Sequence, residues 1–269
     1  MLHSLKTLDG FTISATDGQL GNVRDIYFDD QQWVIRYFEV DTGWLAGRNV
    51  LISPISVLGI DWKRKTINVD LTQQQVNNSP GIDMARPVSR QHETALSSYY
   101  GYPLYWAGPY AWGYTALPTM LEPLPFEEGS GQRQLRLEPE VDSSDDDPHL
   151  RTKDEIVGYD IQATDDTVGH VDDFLFDDQD WAILLMVVDT RNWWPGKHVL
   201  LSPRLVIDMS WEEKAVLVNI SRSEIESSAE YDENYPPERS TVEDVYHRFS
   251  SQAPMPVTAQ DTMHSDERR

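Results

Sequence analysis

Cysteine is absent from the 269 residues. That excludes disulfides, thiolate nucleophiles and cysteine-ligated metals, and it leaves the redox compartment unreadable. Basic residues are scarce, 22 Lys and Arg against 45 Asp and Glu, for a net charge of -23. Such a surface repels phosphate backbones and anionic membrane surfaces, and no dense Lys/Arg run offsets it, so nucleic-acid binding is not expected. No apolar run approaches the length of a spanning helix. The start, Met1-Leu-His-Ser-Leu-Lys-Thr-Leu-Asp, lacks the charged head and long apolar stretch of a signal peptide. A cytoplasmic protein without a membrane span is the expectation. His3, His92, His149, His170, His198, His247 and His264 form no His-x-x-x-His pair and no His-Glu-x-x-His motif. Neither a Gly-x-Ser-x-Gly elbow nor a Gly-rich phosphate loop occurs. No catalytic residue and no cofactor is expected.

What is present is a repeat. Leu20-Gly-Asn-Val-Arg-Asp-Ile-Tyr-Phe-Asp-Asp-Gln-Gln-Trp33 answers Val168-Gly-His-Val-Asp-Asp-Phe-Leu-Phe-Asp-Asp-Gln-Asp-Trp181 at an offset of 148. The match continues through Val40-Asp-Thr42 and Val188-Asp-Thr190, absorbs one inserted residue, and resumes with Val50-Leu-Ile-Ser-Pro54 against Val199-Leu-Leu-Ser-Pro203. Roughly four positions in ten are identical between residues 10–72 and 158–221, so one structural unit is used twice.

Each copy has a period of two. In Trp33-Val-Ile-Arg-Tyr-Phe-Glu-Val40, Trp33, Ile35 and Tyr37 fall on one face, with Val34 and Arg36 on the other. Asp29-Asp-Gln-Gln32 and Asp177-Asp-Gln-Asp180 read as hairpin turns. Further short runs at Gly10–Ala15, Val50–Ile52, Val57–Ile60 and Thr66–Leu71 bring the total to about six strands per copy, which predicts a small closed barrel or sandwich. Thr72-Gln-Gln-Gln75 and Ser221-Arg-Ser-Glu224 fit a capping box and predict a helix after each barrel. Second short helices are expected near Ser89 and near Ser240.

These motifs resemble the PRC-barrel family, named for the cytoplasmic domain of the photosynthetic reaction-centre H subunit. The resemblance rests on Gly21-Asn-Val-Arg-Asp25, Phe28-Asp-Asp30, Val40-Asp-Thr42, Gly47-Arg-Asn-Val-Leu51 and Ser53-Pro54, and on their counterparts in the second copy. Ser79-Pro-Gly-Ile-Asp83 and Tyr99-Tyr-Gly-Tyr-Pro-Leu-Tyr-Trp106 resemble the tail of free-standing bacterial members, and the second copy lacks the latter stretch. The resemblance implies a bacterial protein, mainly β, with two tandem six-stranded barrels, each followed by short helices. It implies a role in assembly or docking, with no catalytic residue to carry over. The alternative it offers is a modulator of electron or proton transfer at a photosynthetic or respiratory membrane complex, through peripheral association. The expected organisation is barrel 1 over 1–80, a short helix and a Tyr/Trp/Pro-rich arm over 81–126, an acidic linker over 127–150, barrel 2 over 151–230, and a short helix with a disordered tail over 231–269. Duplication predicts an intramolecular pseudo-dimer of the barrels, or else a homodimer.

Candidate sites are few. Asp29, Asp30, Asp177 and Asp178 could bind a divalent cation, but carboxylates that hold hairpin turns through backbone amides explain them better. Asp41 and Asp189, each ahead of a Thr, are expected to fix a loop in the same way. Gly10, Gly21 and Gly47 recur as Gly158, Gly169 and Gly196 and read as turns or bends in a tight barrel. Trp33, Trp62, Trp181 and Trp211 read as core or interface anchors. Trp44, Trp193 and Trp194 lie in loops and, with Tyr99, Tyr100, Tyr102, Tyr105 and Trp106, are the candidates for contacting a protein partner of unknown identity. The loop tryptophans could instead fold over their own barrel mouth. The aromatic stretch could instead pack across the barrels.

Overall fold

The computed structural model describes residues 1–43, 48–81, 88–119, 149–190 and 197–249. The first part of the chain runs through β1 (Leu2–Ser4), β2 (Thr12–Ala15), β3 (Gly18–Asp29), β4 (Val34–Asp41), β5 (Asn49–Ile52), β6 (Val57–Asp61) and β7 (Thr66–Val69). Helices α1 (Gln73–Asn77) and α2 (Arg90–Tyr100) follow. The second part repeats the plan with β8 (Leu150–Thr152), the short helix α3 (Lys153–Ile156), β9 (Asp160–Gln162), β10 (Thr167–Asp177), β11 (Ile183–Asp189), β12 (His198–Leu201), β13 (Val206–Ser210) and β14 (Ala215–Val218). It ends with α4 (Arg222–Glu226), β15 (Glu230–Tyr231) and α5 (Arg239–Arg248).

Local chemistry sets these boundaries. Both expected capping boxes form, Thr72 with Gln75 at α1 and Ser221 with Glu224 at α4, each satisfying two backbone donors that the helix would otherwise orphan. Ser89 caps α2, which Gly101 ends in the left-handed conformation at φ 71. The β3–β4 turn is held by Asp29, whose Oδ1 accepts from the amides of Gln31 at 2.9 Å and Gln32 at 3.0 Å. Thr42 and Thr190 then close the next loop in each copy, their hydroxyls donating to the carbonyls of Arg48 and Lys197, both at 2.6 Å.

The chain divides into two compact units. The first-repeat unit is Leu8–Asp154 with Gln179–Trp181, and the second-repeat unit is Met1–Thr7, Glu155–Asp178 and Ala182–Arg269. In the first, the strand order is β5-β4-β3-β2-β7-β6, with β8 added on β3. In the second, it is β12-β11-β10-β9-β14-β13, with β15 beyond β12 and β1 added on β10. First and last strands of each copy lie parallel, β2 with β7 and β9 with β14. The protein is thus mainly β, with two sheets and few helices, and among the described residues no ladder joins β5 to β6 or β12 to β13.

Each unit includes a short strand from elsewhere in the chain. Strand β8 pairs antiparallel with β3, Leu150 opposite Asp29, and β1 pairs with β10, Leu2 opposite Asp177. Each long strand thus takes a short one from the other repeat. Two buried aspartates at matching positions clamp the added segments. Asp25 Oδ1 accepts from the Ile26 amide at 2.7 Å and the Asp154 amide at 3.2 Å. Asp173 Oδ1 accepts from Phe174 at 2.8 Å and Lys6 at 3.3 Å, while its Oδ2 accepts from the Ser4 hydroxyl. Leu150 joins a buried cluster with Tyr27, Tyr37, Leu51, Val88 and Leu96. Leu150, the last residue of the stretch read as an acidic linker over 127–150, is an ordered core residue. Residues 120–148 of the arm and linker, and 250–269 of the expected tail, lie outside the described residues.

Two other expectations change. In β4 every residue from Val34 to Val40 is buried, so simple alternation fails: the β3–β4 ladder skips Arg36 at a register shift, and Arg36 and Tyr37 both meet the helix and aromatic segment that follow. Of the four shared tryptophans, Trp33 and Trp181 are buried, Trp62 is half-buried, and Trp211 is 57% exposed. The recurring Gly21 and Gly169 are close-approach sites in the strands rather than turns, since a Cβ there would stand 2.0 Å from the carbonyl oxygen of Asp41 or Asp189.

If β8 is structural, Leu150→Asp should destabilise the first-repeat unit by about 3 kcal/mol, the cost of an unpaired charge placed in a core. Urea unfolding monitored by tryptophan fluorescence would measure this. An unchanged midpoint would show that β8 adds nothing.

Candidate functional site

The layer covering β4 is helix α2 and the aromatic segment after it. Arg36 lies beneath them with a fully buried side chain. Its Nη2 donates to Asp29 Oδ2 at 3.2 Å and to Gln32 Oε1 at 2.9 Å, and its Nη1 donates to the carbonyl of Ala111 at 2.5 Å. The guanidinium stacks 3.7 Å from the centre of the Tyr105 ring and 5.0 Å from that of Trp112. A planar cation held by a carboxylate and faced by aromatic rings is the arrangement arginine suits and lysine does not.

Tyr105 links this cation to a second one. Its hydroxyl donates to Glu93 Oε2 at 2.7 Å and accepts from Arg90 Nη1 at 2.9 Å. Arg90 also pairs with Glu93 at 3.2 Å and lies 4.2 Å over the Trp106 ring. Tyr37 donates to the same Glu93 oxygen at 3.3 Å. Burial pushes Glu93 up to about 7, against the pull of Arg90 and the Tyr105 hydrogen bond. Burial and the neighbouring Glu93 hold the Tyr37 and Tyr105 hydroxyls well above their ordinary value, so both remain donors. Beside this cluster is a small cavity lined by Arg36, Tyr37, Leu96, Tyr100, Tyr102 and Tyr105, among others.

The structure resolves the aromatic candidates into inner and outer sets. Tyr105 and Trp112 are buried, and the Trp112 indole donates to the Asp180 carbonyl at 2.9 Å. Tyr100 and Tyr102 are half-buried and stacked at 5.2 Å. Trp106 is half-buried under Arg90. Tyr99 is exposed, with its hydroxyl donating to the Gln75 carbonyl at 2.8 Å. Beyond them, Tyr110 and Tyr114 are 55% and 54% exposed, with Leu117 nearby in sequence also exposed. Trp44, Trp193 and Trp194 lie outside the described residues. The sequence reading missed Arg36, Arg90 and Glu93. The available signal was an arginine set among Val34, Ile35, Tyr37 and Phe38, at a position where the second copy has Leu184.

The acidic pairs have structural partners. Asp29 holds its turn and Arg36, while Asp30 accepts from Arg151 Nε at 2.8 Å. In the second copy, Asp177 and Asp178 bind the Met1 amino group at 3.2 and 2.6 Å, and Asp178 also meets His3 at 3.1 Å. Asp41 accepts from the Gly43 amide at 3.0 Å, as expected of a loop-fixing residue. Asp189 is fully buried with His170 and His198 at 3.8 and 3.7 Å, a grouping that strand register creates across β10, β11 and β12. Among the described residues, no three His, Asp or Glu side chains are placed to hold a metal ion. No described helix is long and apolar enough to cross a membrane.

Residues 3–76 match the PRC-barrel domain family, which points in general terms to a protein-interaction or assembly module. The matched stretch includes β1, which sits in the second-repeat unit. No curated protein matches the chain.

Two predictions follow from the buried cluster. Glu93 titrates near 4.5 when unfolded and about 7 when folded, so the folded chain retains a proton through that window which the unfolded chain has released. Stability attributable to this site is full below about pH 4.5 and is lost as pH rises through about 7. Relative to Glu93→Gln, the wild type should lose about 2–3 kcal/mol between about pH 5 and pH 8; parallel urea-unfolding curves for the two proteins across that range would contradict it. Separately, Arg36→Met should cost about 3 kcal/mol, since Asp29 loses its buried counter-ion. It should also redshift tryptophan emission as Trp112 gains water.

Proposed function

We propose that this chain is a non-enzymatic protein-binding or assembly module of PRC-barrel type, and that the aromatic arm is its partner-facing surface. The supporting observation is the two-sided arm. Its inner residues Tyr105 and Trp112 are fixed by the buried Arg36, so Tyr110, Tyr114 and Leu117 are held outward on an ordered base. Large side chains presented without an ordering cost are efficient anchors for a protein partner.

The same reading treats the second repeat as another PRC-barrel copy, with each sheet closing as a barrel and the two copies paired as a pseudo-dimer within the chain. The matching strand orders support the second copy. A bacterial, cytoplasmic setting belongs to this reading too. A second reading, modulation of proton transfer beside a membrane complex, draws on two buried carboxylates raised towards neutrality, Asp25 to about 6 and Glu93 to about 7, both by burial.

The arm is tested by affinity capture of the tagged full chain from its native host, comparing wild type with Tyr110→Ser/Tyr114→Ser. Surface substitutions of this kind leave stability within about 0.5 kcal/mol. A protein recovered reproducibly by the wild type should fall at least about tenfold with the variant. Equal recovery by both would reject the arm as the binding surface.

A further inference from the structure

The two repeats place the same hairpin, β6–β7 and β13–β14, at the end of each sheet's strand order. Both hairpins extrude an aliphatic residue at a register shift. Leu58, between Val57 and Gly59, is 67% exposed, and Ile207, between Val206 and Asp208, is 59% exposed. A bulge re-aims the side chain it carries, and here both copies use it to put an apolar residue in water.

The turns of the two hairpins carry opposite charge. Asp61 Oδ1 accepts from the amides of Lys63 and Arg64 at 3.1 and 3.0 Å, and Lys63, Arg64 and Lys65 are all exposed. The equivalent residues are Glu212, Glu213 and Lys214, also exposed. The tryptophans ahead of these turns differ as well. Trp62 packs edge-on against Phe11 at 5.7 Å, whereas Trp211 is more than half in solvent beside the two glutamates. An exposed indole flanked by carboxylates is a receptor for a cation, because the ring face attracts it and the carboxylates pair with it. The chain supplies that cation itself, as three consecutive basic residues on a protein of net charge -23.

We infer that the acidic β13–β14 hairpin of one molecule receives the basic β6–β7 hairpin of a second copy. Trp211, Glu212 and Glu213 meet Lys63, Arg64 and Lys65, and Ile207 and Leu58 supply apolar contact. The two surfaces are different, so the contact is heterologous and repeats head to tail, as a ring or an open chain. Net repulsion opposes the encounter, but at physiological salt it is screened beyond about 8 Å while groups in contact still attract. No residue of the aromatic arm takes part, so this contact and the arm can fail independently.

Sedimentation velocity of the full chain over a wide concentration range tests the inference. The wild type should show concentration-dependent association. Lys63→Glu/Arg64→Glu and Glu212→Lys/Glu213→Lys should each sediment as monomers, since each carries two hairpins of like sign. An equimolar mixture of the two should associate again, because the native basic turn of one faces the native acidic turn of the other. Trp211→Ala, at an exposed site that leaves folding intact by circular dichroism, should weaken wild-type association at least about tenfold. A wild type that stays monomeric, reversals that associate as the wild type does, or a mixture that stays monomeric would each overturn the proposal.

Discussion

Each sheet is completed on its longest strand by three residues from the other repeat, and a buried aspartate holds them there. Asp25 and Asp173 sit at matching positions, and each accepts from its own strand and from the backbone just past the added one. A carboxylate in that position satisfies amides that would otherwise be stranded in a low-dielectric interior, where an unmet donor is costly. Burial raises both carboxyls above their ordinary range. Neither repeat, taken as a continuous stretch, contains a whole unit. The family match over residues 3–76 begins within β1, which belongs to the second-repeat unit.

On this shared frame the copies diverge where the frame leaves a choice. The first covers β4 with α2 and the arm, and answers the polar groups it buries with Arg36, Arg90 and Glu93. The second has Leu184 and Leu185 where the first has Arg36 and Tyr37, and α5 follows there, with the Tyr246 hydroxyl donating to the Leu184 carbonyl at 3.1 Å. The sheet therefore does not require the buried cation. Ion pairs taken out of water contribute little net stability, and their best-attested use is to specify one arrangement over others. In the first unit that arrangement is the seating of the arm.

Surface divergence follows the same logic. Backbone-fixing residues persist in both copies: the capping boxes, the loop-closing Thr42 and Thr190, and the close-approach Gly21 and Gly169. Charges at the hairpin turns, the exposure of the second tryptophan and the presence of the arm do not persist. Duplicated folds keep what the backbone demands and are free elsewhere, so the differences between copies mark where binding specificity can reside.

The sequence by itself determined the internal repeat, the strand-rich character of both stretches, the Asp29 turn and both helix caps. These depend on residues close in the chain, where side-chain chemistry and backbone geometry are tied directly. Periodicity put Arg36 on the face opposite Trp33 but carried no information about a second layer above it. Only the tertiary structure decided that β4 is covered on both faces, that Leu150 belongs to a strand rather than a linker, and that Tyr105 points inward while Tyr110 and Tyr114 point outward. Each of those outcomes depends on a partner 50 or more residues away, and pairing between distant segments is set by which surfaces can be buried together, which no local pattern encodes.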